Sequence, residues 1–205
     1  QQFSVKSVDS RVFVLKEEGK LDSWIENAVI GFCDIETSNF DANAGFMVSW
    51  AIKIGDKVYS DLITPAEITK GFGNDKRIVQ SLIDTMRKCD AIATFWGTGF
   101  DVPYMRSRAL DHGLDFPQFG SIAHIDLFYA CRSLFKLHRR SLQAVTEFLG
   151  ISGKTHLDLK VWNKGRVGHS PSLNYILDHN IADVDILKKL FERIRKYRKW
   201  IRKSI

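Results

Sequence analysis

The sequence predicts an α/β domain, or mixed α+β, built on one central sheet with helices packed against it. Two observations carry this. Residues 46–63 form a β-prone pair of segments around Gly55-Asp56, a hairpin pattern. After residue 74, short apolar segments alternate with stretches of helical periodicity.

Taken in order, Arg11–Leu15 reads as a short strand and Lys16–Lys20 as a charged turn. Ala28 to Glu36 reads as a central strand, and Asn39 to Gly45 as a loop of turn formers. The hairpin strands are 46–54 and 57–63. Asn74 or Asp75 can cap a helix reaching about Lys88, with Ile78, Val79, Leu82, Ile83 and Met86 at helical spacing. Ala91 to Trp96 is a short buried strand, and Gly97-Thr98-Gly99 is a turn that delivers the helix opening at Phe100–Pro103. Ile122 to Asp126 is a further strand, followed by helices at 127–137 and 141–149, the second ended by Gly150. Residues 151–169 read as a long polar loop. Ser170-Pro171 opens a final helix whose apolar stripe is Leu173, Leu177, Ile181, Val184, Leu187, Phe191 and Ile194. The domain reading is an N-terminal extension at 1–27 packed on the rest, a domain at 28–195 and a basic helix end at 196–205.

The 205 residues, 44% hydrophobic, suffice for one full core. Three dispersed cysteines and no CxxC pair argue against a disulfide framework or a zinc site, and for a reducing intracellular compartment, cytoplasmic or nuclear. No run approaches a membrane span, so no membrane partner is expected. Opening on Gln1-Gln2, the sequence reads as trimmed or cut from a longer chain. The net charge of +6 is uneven: nine Lys/Arg against one acid from Lys188 onward give that segment +8 and leave the body at −2. A basic tail suits a phosphate-bearing partner, and it equally suits the solvated face of a long helix.

The chemistry centres on Asp34-Ile35-Glu36. On a strand, i and i+2 share a face, so the two carboxylates point the same way. They repel unless a cation sits between them, and a divalent metal is the usual answer. The same pattern also describes a strand running out into a polar turn. Asp101 stands at a helix start, where Asp is a favoured N-cap. His179 and Asp183 share a face of the last helix, which is also what a polar strip would give.

In order, Asp34-Ile35-Glu36-Thr37, Gly97-Thr98-Gly99-Phe100-Asp101-Val102-Pro103-Tyr104 and His179-Asn180-Ile181-Ala182-Asp183-Val184 resemble the three motifs of the DEDD superfamily of 3′–5′ exonucleases. The likeness is greatest to predicted exonucleases similar to the proofreading domain of family B DNA polymerases. Ser141-Leu142-Gln143 through Leu149-Gly150-Ile151 resembles their linking segment, and the likeness covers about residues 28–195. It implies a ribonuclease H-like mixed sheet flanked by helices. It further implies two Mg²⁺ or Mn²⁺ ions held by Asp34, Glu36, Asp101 and Asp183, with Asp34 bridging them. Nucleoside 5′-monophosphates would be released from a 3′ end of DNA or RNA, with single-stranded DNA the expected substrate and a polymerase or other replication or repair protein the expected companion.

Two positions depart from the family pattern. The family often has Asn five residues before the second-motif Asp, and Trp96 stands there. Its third motif has Tyr four residues before the Asp or His five before it. Here His179 has the Tyr spacing and the His identity, with Asp178 at the other position. His179 is the candidate to orient or deprotonate the attacking water, and Tyr175 is a weaker one. Thr37, Trp96, Phe100, Lys154, Lys160, Lys164 and Arg166 are the candidate substrate-binding residues, with Phe40, Arg132, Lys136, Arg139, Arg140 and the tail as further contacts. Tyr197 and Trp200 suit a partner contact or helix packing, and the remaining histidines are read as structural or surface. Competing readings are a non-catalytic nucleic-acid-binding or scaffolding domain on the same fold and a structure-specific endonuclease. Relief of carboxylate repulsion predicts that Asp34→Ala removes activity with stability equal or higher.

Overall fold

A computed structural model describes residues 23–70, 74–153, 158–200 and 203–205; the expected strand at 11–15 and turn at 16–20 lie outside them. Among the described residues a six-stranded mixed sheet runs in the order β3-β2-β1-β4-β5-β6. The strands are β1 (Ile30–Thr37), β2 (Met47–Ile54), β3 (Lys57–Leu62), β4 (Ala91–Thr94), β5 (Ala123–Asp126) and β6 (Lys203–Ser204). The helices are α1 (Ser23–Asn27), α2 (Pro65–Thr69), α3 (Lys76–Met86), α4 (Asp101–Asp111), α5 (Leu127–Leu134), α6 (Leu142–Phe148), α7 (Leu159–Gly165) and α8 (Ser170–Ile194). None of them is long and apolar enough to cross a membrane.

The hairpin forms as its sequence requires, with Gly55 at φ 57° in the tight turn. β1 pairs antiparallel with β2 from Gly31 to Thr37, with a register shift between Glu36 and Thr37, but parallel with β4 only from Ile30 to Phe32. Beyond Phe32 its other edge is therefore open to something else.

Alternation along β1 sorts its side chains between two cores. Cys33 and Ile35 enter a cluster with Ile78, Leu82, Ile92 and Met105, on the side of α3 and α4. Phe32 enters the cluster of Val184, Leu187 and Phe191, on the side of α8. Asp34 and Glu36 share the α8 side by the same period. Helix α8 runs antiparallel to β1, so Phe191 meets Phe32 with ring centroids 5.6 Å apart, while the first half of α8 lies against the acidic end of the strand.

Several expectations are corrected. The polar stretch 151–169 holds α7, whose first turn is capped by Asp158 accepting from the Lys160 N–H. Polar composition hid it, because only Gly165 of its residues is buried; that glycine packs so tightly on α8 that an added Cβ would lie 2.4 Å from Ile176 Cδ1. The tail does not continue α8. It makes a 3₁₀ turn at Arg195–Tyr197, and Lys203–Ser204 then pairs antiparallel with β5. Buried Trp200 drives the reversal by packing on Phe191 at 5.3 Å, and its carbonyl accepts from Trp24 Nε1 at 3.2 Å. Tyr197 is exposed. The buried stripe of α8 passes through Ile176 and Asn180 rather than Leu177 and Ile181. A stripe traced by hydrophobicity misses a face that buries an amide. Helix α8 is preceded by His169 at the capping position, not Ser170.

Asp75 stands at the N-cap of α3 but makes no cap bond. Its fully buried carboxylate accepts from the Met47 N–H at 2.7 Å, Arg108 Nη2 at 2.7 Å and His112 Nε2 at 2.5 Å. Arg108 Nη1 also donates to the Ala42 carbonyl at 3.2 Å. This buried group ties β2, α3, α4 and the 39–45 loop together. Removing one partner strands a buried charge, so Arg108→Ala is expected to lower stability by about 3–5 kcal/mol, measured by chemical denaturation.

Candidate active site

The open edge of β1 is where the second acid arrives. The β4–α4 turn swings the start of α4 into the gap, and the Ile35 N–H donates to the Asp101 carboxylate. Asp101 is thus tied to the residue between Asp34 and Glu36. It is the first residue of α4 rather than its cap, a position held by Phe100, and it is only 5% exposed. Burial pushes its carboxyl up to about 7, the behaviour of an acid short of nearby positive charge.

Helix α8 supplies the third group. His179 Nε2 lies 3.8 Å from Glu36 Oε1 and 3.8 Å from Asp183 Oδ2. The i, i+4 spacing puts His179 and Asp183 on one face, and the antiparallel run of α8 lays that face on β1. Asn180, one residue on, donates from Nδ2 to Asp34 Oδ2 at 2.6 Å. Asp34, Glu36, Asp101, His179 and Asp183 therefore gather from three elements around the carboxyl end of β1.

The second-motif turn is held by a residue that sequence reasoning missed. Asp126 ends β5 and caps α5 by accepting from the Phe128 N–H at 3.0 Å. The same carboxylate accepts from the Trp96 and Thr98 N–H groups, each at 3.0 Å. Its position after an apolar strand and before a helix was the available signal, and it was read only as a strand end. Trp96 is the one described non-glycine residue with positive φ, 66°. Asn tolerates that region far better than Trp, which gives a conformational reason for the family's Asn at this place. The indole lies over Gly99, where an added Cβ would be 2.6 Å from Cε2. Half of Trp96 remains exposed.

The other candidates fare unevenly. Phe100 lines a cleft of about 320 Å³ with Phe40, Asn43, Gly99, Pro103 and Tyr104, beside Asp101. The rings of Phe40 and Phe100 meet edge-on at 6.1 Å, and Phe40 is 85% exposed. Thr37 is buried and its hydroxyl donates to the Asn39 carbonyl at 2.8 Å, so it shapes the turn instead of offering a free donor. Lys160 and Lys164 lie exposed on α7 and Arg166 stacks on Trp162 at 5.1 Å, with no described contact to the acids. Lys154 lies outside the described residues. Tyr175 is exposed. Of the other histidines, His112 belongs to the Asp75 group and His124 bonds Thr94 at 2.9 Å.

Among the described residues, no three carboxyl, imidazole or thiol side chains close into a ready cation cage. The donor set nevertheless fits a hard divalent cation in kind: Asp34, Glu36, Asp101 and Asp183 all offer carboxylate oxygen, and burial of Asp101 leaves it in want of positive charge.

This architecture has relatives. A family model of the RNase_H superfamily matches residues 31–195. The chain belongs to the RNase_H superfamily. A DNA polymerase of Methanocaldococcus jannaschii is 29% identical over 140 residues, 55% of this chain and 8% of that protein. The solved family B DNA polymerase of Pyrobaculum calidifontis shares the fold at TM-score 0.66 and 19% identity, over 83% of this chain and 25% of that one. The chain thus spans a small part of either polymerase. The mixed sheet flanked by helices is ribonuclease H-like, as the motifs implied.

Replacing Trp96 by Gly removes the positive-φ strain of about 1–2 kcal/mol and gives up a half-exposed ring contact. The Trp96→Gly variant is expected to match or exceed the wild-type chain in stability by up to about 1 kcal/mol, read from denaturant unfolding.

Proposed function

We propose that this RNase H-like domain is a divalent-metal-dependent 3′–5′ exonuclease of the DEDD type. One observation carries the reading: α8 brings His179 to 3.8 Å from both Glu36 and Asp183, while the Ile35 N–H ties Asp101 to the residue between Asp34 and Glu36. Strand ends and helix caps acting separately would have no reason to meet in this way.

When bound, divalent ions would neutralise the phosphodiester and lower the pKa of water. Asp34, Glu36, Asp101 and Asp183 would hold them through oxygen. His179 would take the water proton at Nε2, and the two carboxylates 3.8 Å away would stabilise the resulting imidazolium. The Phe40–Phe100 cleft would receive the terminal base by stacking, with the exposed indole of Trp96 beside the same turn. The exposed cations of α7 and the C-terminal segment would contact phosphates farther along the strand, giving binding that weakens with salt. The sequence relationship to a polymerase supports nucleic acid as the substrate class and a polymerase or other replication or repair protein as companion. One observation favours a non-catalytic binding module instead: the acids do not close into a cage among the described residues.

Incubation with single-stranded DNA, 3′-recessed DNA and RNA in Mg²⁺ or Mn²⁺ is expected to give stepwise shortening from the 3′ end, with mononucleotide products. Asp183→Asn should lower the rate by more than the roughly 10–100-fold that outer-shell changes cost. Folded protein that degrades none of these substrates would overturn the reading, and cutting of circular DNA would replace it with an endonuclease.

A further inference from the structure

Asn180 is absent from every role assigned above, yet it makes the shortest described contact to the acids. It is completely buried, an unusual place for a primary amide in a helix. Its Nδ2 donates to Asp34 Oδ2 at 2.6 Å. Its Oδ1 faces the hydroxyl of Ser49, which donates at 3.4 Å and is also fully buried. Ser49 is the cross-strand partner of Glu36 in the β1–β2 register. The hydroxyl can donate and the carboxylate can only accept, so the two ends of the amide are distinguished: oxygen toward Ser49, nitrogen toward Asp34.

We infer that Asn180 is a positioning residue that fixes the rotamer of Asp34, through a buried Ser49–Asn180–Asp34 relay joining β2, α8 and β1. The inference rests on the metal-dependent reading proposed above. With Oδ2 engaged by the amide, the carboxylate plane of Asp34 is set by the protein before any cation arrives. The hydrogen bond also offsets part of the charge of Asp34 without supplying a competing cation. Neutral donation suits an acid that must later surrender its charge to a metal: a Lys or Arg here would satisfy Asp34 permanently.

The relay also revises the expectation for Asp34. Repulsion between Asp34 and Glu36 alone predicts that Asp34→Ala leaves stability equal or higher. With Asn180 fully buried, that substitution strands an amide N–H, so the variant should instead be less stable than the wild-type chain. Asp34→Asn keeps an acceptor oxygen for Nδ2 and should be the more stable of the two.

The test compares the wild-type chain with Asn180→Leu, which is similar in volume and lacks both polar ends, by calorimetric titration with Mn²⁺ alone and by kinetics on a single-stranded oligonucleotide. Mn²⁺ affinity is expected to fall roughly 10–100-fold. The turnover number should fall with it while KM for the oligonucleotide stays within about twofold, because Asn180 is buried away from the strand. Ser49→Ala, which loosens the amide without removing it, should move both quantities in the same direction by less. If Asn180→Leu does not fold, Ser49→Ala and Asn180→Ser carry the comparison. A folded Asn180 variant that binds Mn²⁺ as tightly as the wild-type chain would overturn the inference and leave the nuclease reading standing. A wild-type chain that binds no Mn²⁺ would overturn the nuclease reading itself, and the role of Asn180 toward a metal with it.

Discussion

β1 keeps its antiparallel partner to the end and loses its parallel one after three residue pairs. Most of the functional architecture depends on that early divergence. Had β4 continued alongside, the Ile35 N–H would have a strand carbonyl to bond and no helix could approach. Instead the edge is free, the turn after β4 rises over it, and Asp101 satisfies the exposed amide. Backbone hydrogen-bond demand and the assembly of the acids are thus met by one contact. Buried at this contact, Asp101 also loses solvent, which is why its carboxyl is reluctant to ionise.

Around this gap the structure uses polar contacts to hold backbone and acids in place. Asp126 pins the 96–98 turn from one side. The Asp75–Arg108–His112 group braces the other, reaching the 39–45 loop through Ala42 and so supporting the wall that carries Phe40. Asn180 sits beneath Asp34. Each stands at an element boundary or on a helix face that meets the sheet. The aromatic surfaces above them stay exposed.

Much of this was legible in the sequence. The hairpin was marked by Gly55-Asp56, α3 by its apolar spacing, and the shared face of Asp34 and Glu36 by strand periodicity alone. The order of the acids and their likeness to a known motif set pointed to the right superfamily. What stayed hidden has a common physical cause. Asn180 is a polar residue buried in the interior and Asp126 a half-buried one holding three backbone N–H groups, whereas periodicity arguments assign structural roles of this kind to apolar residues. The stripe of α8 was therefore traced one residue off, at Leu177 and Ile181, because the buried face carries Asn180 where an apolar residue was expected. Helix α7 was hidden for the opposite reason: it is largely exposed, so its polar composition resembled that of a loop. The reversal of the tail depends on Trp200 finding Phe191 and Trp24 across the fold, a partnership with no local signature.

Cys33 lies inside this arrangement, next to Asp34 and on the opposite face of the strand. Burial holds its thiol protonated, and the fields of Asp101 and Asp34 add to the effect. Oxidants and alkylating agents attack the thiolate. The acids gathered at the site therefore also protect the sulfur beside them, and Cys33 becomes vulnerable only when the strand opens. Its rate of chemical modification is thus a clock for local unfolding at the heart of the site.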